Sequence, residues 1–438
     1  MFAMLVFYYA TLLVNIGIVF TLLQSDLKRY SPASIFWFAI LAAFLVPAIP
    51  DPFVGYVRPH IYSVEYMLDI ETLIAVQMFV LVFLLFFSGV YLLTRLAMGK
   101  TCATEPRFLI QIRSNNPVGL YWLLGFLSLS LYGLIESYKE FGVSLFSDFG
   151  FIARRENISA LSGFLLSYNL IICGGVFFWL LLQRRMLASC FVLGLYLLLY
   201  FVMGGSRQPI VILMLPFLIY FLASSNNRLV YSILLVVFFN FFSRGLEFLL
   251  YLRNLPGLDA RIAAISNSFD ILFSQEKIAS SESSLRFAFY YFVQNGASAA
   301  GFGEFTYLVR TFFFWLPSAI DVFDIKPDDF EYVMFEFYMP GYTGTMHPTF
   351  FGSIYADGGW MMLPWAIFFI TIYKLTAPIL NKYNGACFFA IWGLYAYFYM
   401  MLARGAIYGP LVALVFGLVL VGVIQSLSSH LNHRNSTR

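Results

Sequence analysis

Charge is what this chain has least of: 11% of its 438 residues are Asp, Glu, Lys or Arg, while 61% are hydrophobic. A soluble fold of that length could not bury so much apolar surface, which excludes a soluble enzyme. Cysteine is scarce as well. Cys102, Cys173, Cys190 and Cys387 show no C-x-x-C spacing, and three of them fall inside apolar runs. That pattern predicts neither a disulfide framework nor a zinc site. A net charge of +3 is too small to suggest a nucleic-acid partner. There is no P-loop and no Rossmann fingerprint, which removes nucleotide-driven transport. Few charges lie deep inside the apolar runs, which argues against a pump built on midplane carboxylates.

What the chain does have is a series of separate apolar runs, with a mean hydropathy of +0.81. They lie near 2–23, 33–50, 71–94, 117–137, 160–182, 187–204, 209–224, 229–243, 360–376, 385–402 and 406–427. Each is close to the length a helix needs to cross the hydrocarbon, and none alternates like a barrel strand. Backbone polar groups in lipid must be satisfied within each segment, so helices are expected. The fold class predicted is an all-α polytopic membrane protein with about 11 transmembrane helices and one large external loop domain.

The basic residues suggest an orientation. With the N-terminus outside, Lys28, Arg29, Arg95, Lys100, Arg107, Arg113, Arg184, Arg185, Arg228, Lys374, Lys382, Arg434 and Arg438 fall inside. The short outside loops then keep only Arg58, Lys139, Arg154, Arg155, Arg207 and Arg404. This asymmetry favours an outside N-terminus and an inside C-terminus. Four segments follow: a bundle of about eight helices over 1–243, a large loop over 244–347, about three more helices over 348–427, and a tail over 428–438 read as disordered. The large loop carries seven basic and twelve acidic residues. Its aromatic stretches Ser284 to Gln294 and Thr306 to Leu316 are expected as interfacial helices.

Arginines at the expected outer boundary are the first candidates for chemistry, since a cation there usually faces a cavity, a partner or a ligand. Arg207 sits in Gly204-Gly205-Ser206-Arg207-Gln208-Pro209 and Arg404 in Ala403-Arg404-Gly405, both tight hairpins. Glycine permits close backbone approach there, and arginine offers a planar fork to phosphate or carboxylate. Arg154 and Arg155 precede the fifth run and Arg244 ends the eighth; Arg286 and Arg310 lie in the large loop. That loop ends in Met346-His347-Pro348, where Pro348 suits the first position of a helix and His347 its cap. A helix start beside an imidazole would make an anion site with a titratable group. Glu304 and Asp357 are alternative acid–base groups. The acidic group Asp321, Asp324, Asp328, Asp329 and Glu331 lacks the spacing of a calcium loop.

Together these features resemble the bacterial Wzy-type O-antigen and oligosaccharide repeat-unit polymerases, which are related in architecture to the O-antigen ligases. The motifs that carry the likeness are Gly204-Gly205-Ser206-Arg207, the loop Phe151-Ile-Ala-Arg154-Arg155-Glu156, the ending Met346-His347-Pro348-Thr349-Phe350-Phe351-Gly352-Ser-Ile-Tyr355 with Gly358-Gly359, and the Arg404-Gly405 hairpin. The resemblance implies a GT-C-like fold in the bacterial inner membrane with the large loop and active site facing the periplasm. It also implies transfer of a glycan from an undecaprenyl pyrophosphate carrier onto another lipid-linked repeat unit, with no cofactor or metal. A chain-length regulator would be a protein partner. By match to the family's basic motifs, Arg154, Arg155, Arg207 and Arg404 are pyrophosphate-binding candidates. His347 matches the histidine that the ligases place at the end of their large loop as general base. Competing expectations are an O-antigen ligase, which would differ in acceptor, and a transporter or flippase of lipid-linked sugars, against which the large loop counts.

Overall fold

The computed structural model describes residues 2–57, 66–97, 106–113, 119–141, 160–202, 207–239, 263–267, 285–296, 305–316, 330–338 and 347–436. Apolar helices dominate it. In chain order they begin with α1 (Phe2–Leu27) and α2 (Ser34–Leu45), whose last five residues form a π-helical turn. A two-stranded antiparallel ribbon, β1 (Tyr56–Val57) with β2 (Tyr66–Met67), leads to α3 (Ile70–Ala97). Next come α4 (Arg107–Arg113), α5 (Leu120–Ser128), α6 (Ser130–Phe141), α7 (Ala160–Leu182), α8 (Met186–Val202), α9 (Arg207–Ser224) and α10 (Arg228–Phe239). Four short helices follow: α11 (Leu285–Asn295), α12 (Thr306–Phe312), α13 (Phe330–Tyr338) and α14 (Thr349–Gly358). The last three are α15 (Leu363–Leu380), α16 (Gly385–Arg404) and α17 (Tyr408–Ser436).

Six described helices are long and apolar enough to cross a membrane: Phe2–Leu27, Ile70–Leu93, Leu120–Lys139 (α5 with α6), Leu363–Leu380, Gly385–Arg404 and Tyr408–Ser429. The other runs expected as crossings fall on α2, α7, α8, α9 and α10, whose described apolar stretches are of 10–17 residues. The protein is therefore an all-α membrane protein with six such spans among the described residues, fewer than the eleven expected. Two further differences concern ends. The tail expected to be disordered continues as helix to Ser436, and Pro348 occupies the cap of α14 rather than its first turn, leaving His347 one position earlier.

Helix α16 is the axis of the bundle, with nearly every residue from Gly385 to Ala403 buried. It lies against α7 at backbone distance: a Cβ on Gly175 would fall inside van der Waals contact of the Phe389 carbonyl oxygen, and one on Gly393 would stand 3.5 Å from the Gly175 Cα. Between membrane helices such small-residue contacts supply the attraction that water supplies elsewhere. Helices α1 and α3 are joined by a buried amide pair, Asn15 Nδ2 donating to the Gln77 backbone oxygen at 2.9 Å and side-chain oxygen at 3.0 Å. Packing of α2, α3, α14 and α15 is aromatic. Phe350 of α14 meets Phe36 edge-on at 5.3 Å and Phe83 at 5.4 Å, and Phe36 meets Phe369 at 4.7 Å. Such tilted and edge-on pairs suit the charge distribution of the rings.

Successive spans alternate in direction, so the ends separate into two clusters. One end gathers the start of α1, the end of α2, the starts of α3, α15 and α17, the end of α16, and the short helices. Tyr8 donates to the Ala48 carbonyl at 2.6 Å, Gln294 of α11 to Asp69 at 3.0 Å, and Ser353 of α14 to the Gly405 carbonyl at 2.8 Å. The other end is tied by side-chain amides. Gln111 of α4 accepts from the Gly385 N–H at 2.7 Å, Asn384 accepts from Arg107 at 2.9 Å, and Gln183 donates to the Ile112 carbonyl at 2.5 Å.

Candidate functional site

The short helices do not form a layer of their own; they cap the end of the bundle where α16 turns into α17. That turn needs Gly405, whose φ of +104° is left-handed, and a Cβ there would stand 2.6 Å from both the Ser353 hydroxyl and the Thr349 carbonyl. Only glycine fits so close to α14 in that conformation. The turn is thereby pressed onto the start of α14, two residues after His347.

Tyr307, the second residue of α12, joins three of these elements. Its hydroxyl oxygen accepts from the Ile407 N–H at 2.8 Å and the Tyr408 N–H at 3.3 Å, both at the start of α17, and donates to Glu331 Oε1 of α13 at 3.1 Å. The other Glu331 oxygen, Oε2, lies 3.5 Å from His347 Nδ1. That is an electrostatic approach rather than a hydrogen bond. Burial first, and then the positive charge of Arg404, push the His347 imidazole down to about 3, so it is neutral at ordinary pH. A neutral imidazole with Nδ1 turned to a carboxylate favours the tautomer that leaves Nε2 as an acceptor.

Two guanidinium groups belong to this cluster. Arg404 closes α16 and acts on His347 as described. Arg310, in the last turn of α12, sits 4.3 Å above the ring of Tyr408. A cation at that distance is held by the ring face. Among the described residues the cluster brings together two guanidinium groups, a neutral imidazole and the carboxylate of Glu331.

The remaining expected site residues fall into three groups. Asp357, expected as an alternative acid or base, is 2% exposed and engaged on both oxygens. Oδ1 accepts from the Tyr307 N–H at 2.7 Å; Oδ2 accepts from the Leu308 N–H at 3.1 Å and from Trp365 Nε1 at 2.9 Å. It caps α12 from a neighbouring element, so its influence on the cluster runs through the placement of Tyr307. Burial, opposed by these donors, pushes its carboxyl up to about 6. Arg286, expected as a phosphate ligand, is held in a buried ion pair away from the cluster. It is 6% exposed and forks onto Asp51, Nε to Oδ2 at 2.8 Å and a terminal nitrogen to Oδ1 at 2.6 Å, with Tyr290 donating to the same carboxylate at 2.7 Å. A bidentate buried pair already occupies its donors.

The third group lies beyond what is described: Arg154, Arg155, Arg244 and Glu304 are outside the described residues, as are Asp321, Asp324, Asp328 and Asp329 of the acidic group. Arg207 is the first residue of α9, and its side chain is outside them too. The backbone still fixes its depth. A Cβ on Gly174 would stand 3.1 Å from the Ile212 carbonyl, and the adjacent Gly175 abuts Gly393. At 1.5 Å per residue, α9 begins about 8 Å beyond that level and α16 ends about 16 Å beyond it, so Arg207 starts lower in the bundle than Arg404.

Glu331 and Tyr307 are the members that the sequence did not single out. Glu331 stood only in an acidic group with no recognisable spacing, and Tyr307 in an aromatic stretch, because their partners lie up to 101 residues away. Among the described residues no group of three or more His, Cys, Asp or Glu could hold a metal ion. No protein-family model matches the chain, and neither does any curated protein or solved structure.

Proposed function

We propose that this protein polymerises lipid-linked oligosaccharide repeat units, transferring a growing glycan from an undecaprenyl pyrophosphate carrier onto the sugar of a second lipid-linked unit. The observation that carries this reading is the pair Arg310 and Arg404 gathered beside an imidazole that is neutral and faces a carboxylate. In the transfer, an acceptor hydroxyl oxygen bonds to the anomeric carbon of the donor glycan. The bond from that carbon to the pyrophosphate oxygen breaks, and undecaprenyl pyrophosphate leaves with the bonding electrons. The hydroxyl proton passes to Nε2 of His347, whose imidazolium is then stabilised by Glu331. Arg404 and Arg310 offset the charge that grows on the pyrophosphate.

In this reading all eleven apolar runs cross the bacterial inner membrane, and the segment 244–347 with its short helices faces the periplasm. The basic residues of the opposite end support that orientation: Arg107, Arg113, Arg184, Arg185 and Lys382 all lie there. The test is the surface glycan of a deletion strain. Loss of the gene leaves glycan capped with a single repeat unit, and the wild-type gene restores the ladder, whereas Arg404→Ala restores little of it. Absence of the single-unit form in the deletion strain contradicts the reading, as does a full ladder from Arg404→Ala.

A further inference from the structure

Four described residues other than glycine have a left-handed backbone: Tyr30, Arg184, Phe305 and Thr349. Two of them have an ordinary reason for it. Tyr30 and Arg184 follow the ends of α1 and α7, where the Ser31 N–H reaches back to the Asp26 carbonyl and the Arg185 N–H to the Leu180 carbonyl, each at 3.0 Å. That backward bond is a common close of a helix, and it requires a left-handed residue just before it. Phe305 and Thr349 instead stand at the starts of α12 and α14, where a capping residue ordinarily takes the extended region. Their φ values are 62° and 70°. For Thr349, branched at Cβ, that backbone is strained, and such strain persists only where the surroundings impose it.

Both ends of α14 impose it. At its start, the Thr349 carbonyl is pressed by the α16–α17 turn, since a Cβ on Gly405 would stand 2.6 Å from its oxygen and 2.9 Å from its carbon. On the other side the same turn of α14 lies against α11, where a Cβ on Gly352 would stand 2.9 Å from the Phe289 Cβ. Thr349 is buried between them, and its Oγ1 accepts from the Gly352 N–H at 3.3 Å. At the far end of α14, the Asp357 carbonyl accepts from the Phe305 N–H at 3.0 Å, and a Cβ on Gly358 would stand 2.6 Å from the Phe305 ring. One helix therefore holds both strained residues. His347 lies two residues before Thr349, and Tyr307 two residues after Phe305.

We propose that Thr349 and Phe305 are positioning residues, a strained clamp on α14 that fixes His347 and Tyr307 against the α16–α17 turn. The use of the clamp rests on the reading of His347 as the base of glycan transfer; the strain does not.

The test compares Thr349→Gly, Thr349→Ala and Thr349→Asn in the purified full chain. Glycine accepts the left-handed region freely and alanine does not, so Thr349→Gly should melt about 2–4 °C above Thr349→Ala, the reverse of their order inside a helix. The second readout is NMR titration of the four histidines. In the wild type His347 takes up its proton near 3, with Arg404 and Glu331 facing it. In Thr349→Gly the released imidazole should titrate closer to 6.5, while Thr349→Asn, which tolerates the left-handed region and keeps an acceptor for the Gly352 N–H, should titrate as wild type. In transfer assays kcat should fall about 10–100-fold in Thr349→Gly at unchanged KM, and Thr349→Asn should restore it. Thr349→Gly melting below Thr349→Ala overturns the strain. A His347 titration identical in wild type and Thr349→Gly overturns the positioning role, as does an unchanged kcat. The first two readouts decide the proposal even if the wild type transfers no glycan, a result that would count against the proposed function alone.

Discussion

His347 is useful as a base only if its environment fixes which nitrogen takes the proton, and the neighbours that do so are Glu331 and, behind it, Tyr307. Replacing Glu331 by Gln keeps the shape and removes the charge that holds Nδ1–H and stabilises the imidazolium. Transfer by Glu331→Gln should fall about tenfold and by His347→Ala about 10²–10⁴-fold, measured as initial rates with defined lipid-linked substrates. Tyr307→Phe removes the acceptor for the Ile407 and Tyr408 N–H groups together with the donor to Glu331, and should match Glu331→Gln. A Glu331→Gln variant at the wild-type rate would remove the carboxylate from the site.

The same residue predicts a pH response with a definite sign. An unfolded histidine takes up its proton near 6.5, and buried His347 does so near 3. The wild-type rate should therefore show no acid limb at 6.5. Arg404 is one of the two causes of the depression, so Arg404→Met should move the limb up toward 6.5 whatever it does to the maximal rate. By linkage His347 favours the folded chain at neutral pH, and that contribution is lost as pH falls from 6.5 toward 3.

At the level of elements, the central contact is α16 against α7. Gly175→Ala places a methyl group against the Phe389 backbone, which cannot rotate away as a side chain could. The variant should lower the thermal midpoint in detergent, at a cost of about 1–3 kcal/mol. Gly194, where an added Cβ meets nothing within 4 Å, is the matched control, and Gly194→Ala should leave the midpoint within a degree or two of wild type. The apolar helices were legible in the sequence because length and hydropathy alone define them. The aromatic stretches from Ser284 and Thr306 were expected as helices, and emerge as α11 and α12. The cap of α12 was not legible: its carboxylate, Asp357, is supplied from α14, fifty residues later, so no local spacing signals it. The Arg286 and Asp51 pair failed to show for the same reason, with 235 residues between the partners. An arginine in an aromatic loop reads as a ligand-binding group until its carboxylate is found.

Across the whole molecule, alternation of the spans sorts the polar chemistry to two ends, and the account requires those ends to face opposite sides of the membrane. In a variant lacking the native cysteines, an impermeant maleimide applied from the periplasm should label Gly409→Cys at the start of α17 and spare Lys382→Cys, both exposed positions. Two of the seven arginines expected as phosphate ligands, Arg310 and Arg404, flank one turn; the sequence placed them in separate loops because nothing local indicates that α12 folds back onto α17.

The most direct measurement is single-turnover transfer by the purified protein in liposomes, using a lipid-linked repeat-unit donor and acceptor of defined structure. Wild-type protein should yield a lipid-linked dimer with release of one undecaprenyl pyrophosphate, and Arg404→Ala should lose most of the rate while still inserting and remaining monodisperse. Absence of a dimer with active-folded wild-type protein, or an undiminished rate in both Arg404→Ala and His347→Ala, would contradict the assignment of the α16–α17 turn as the transfer site.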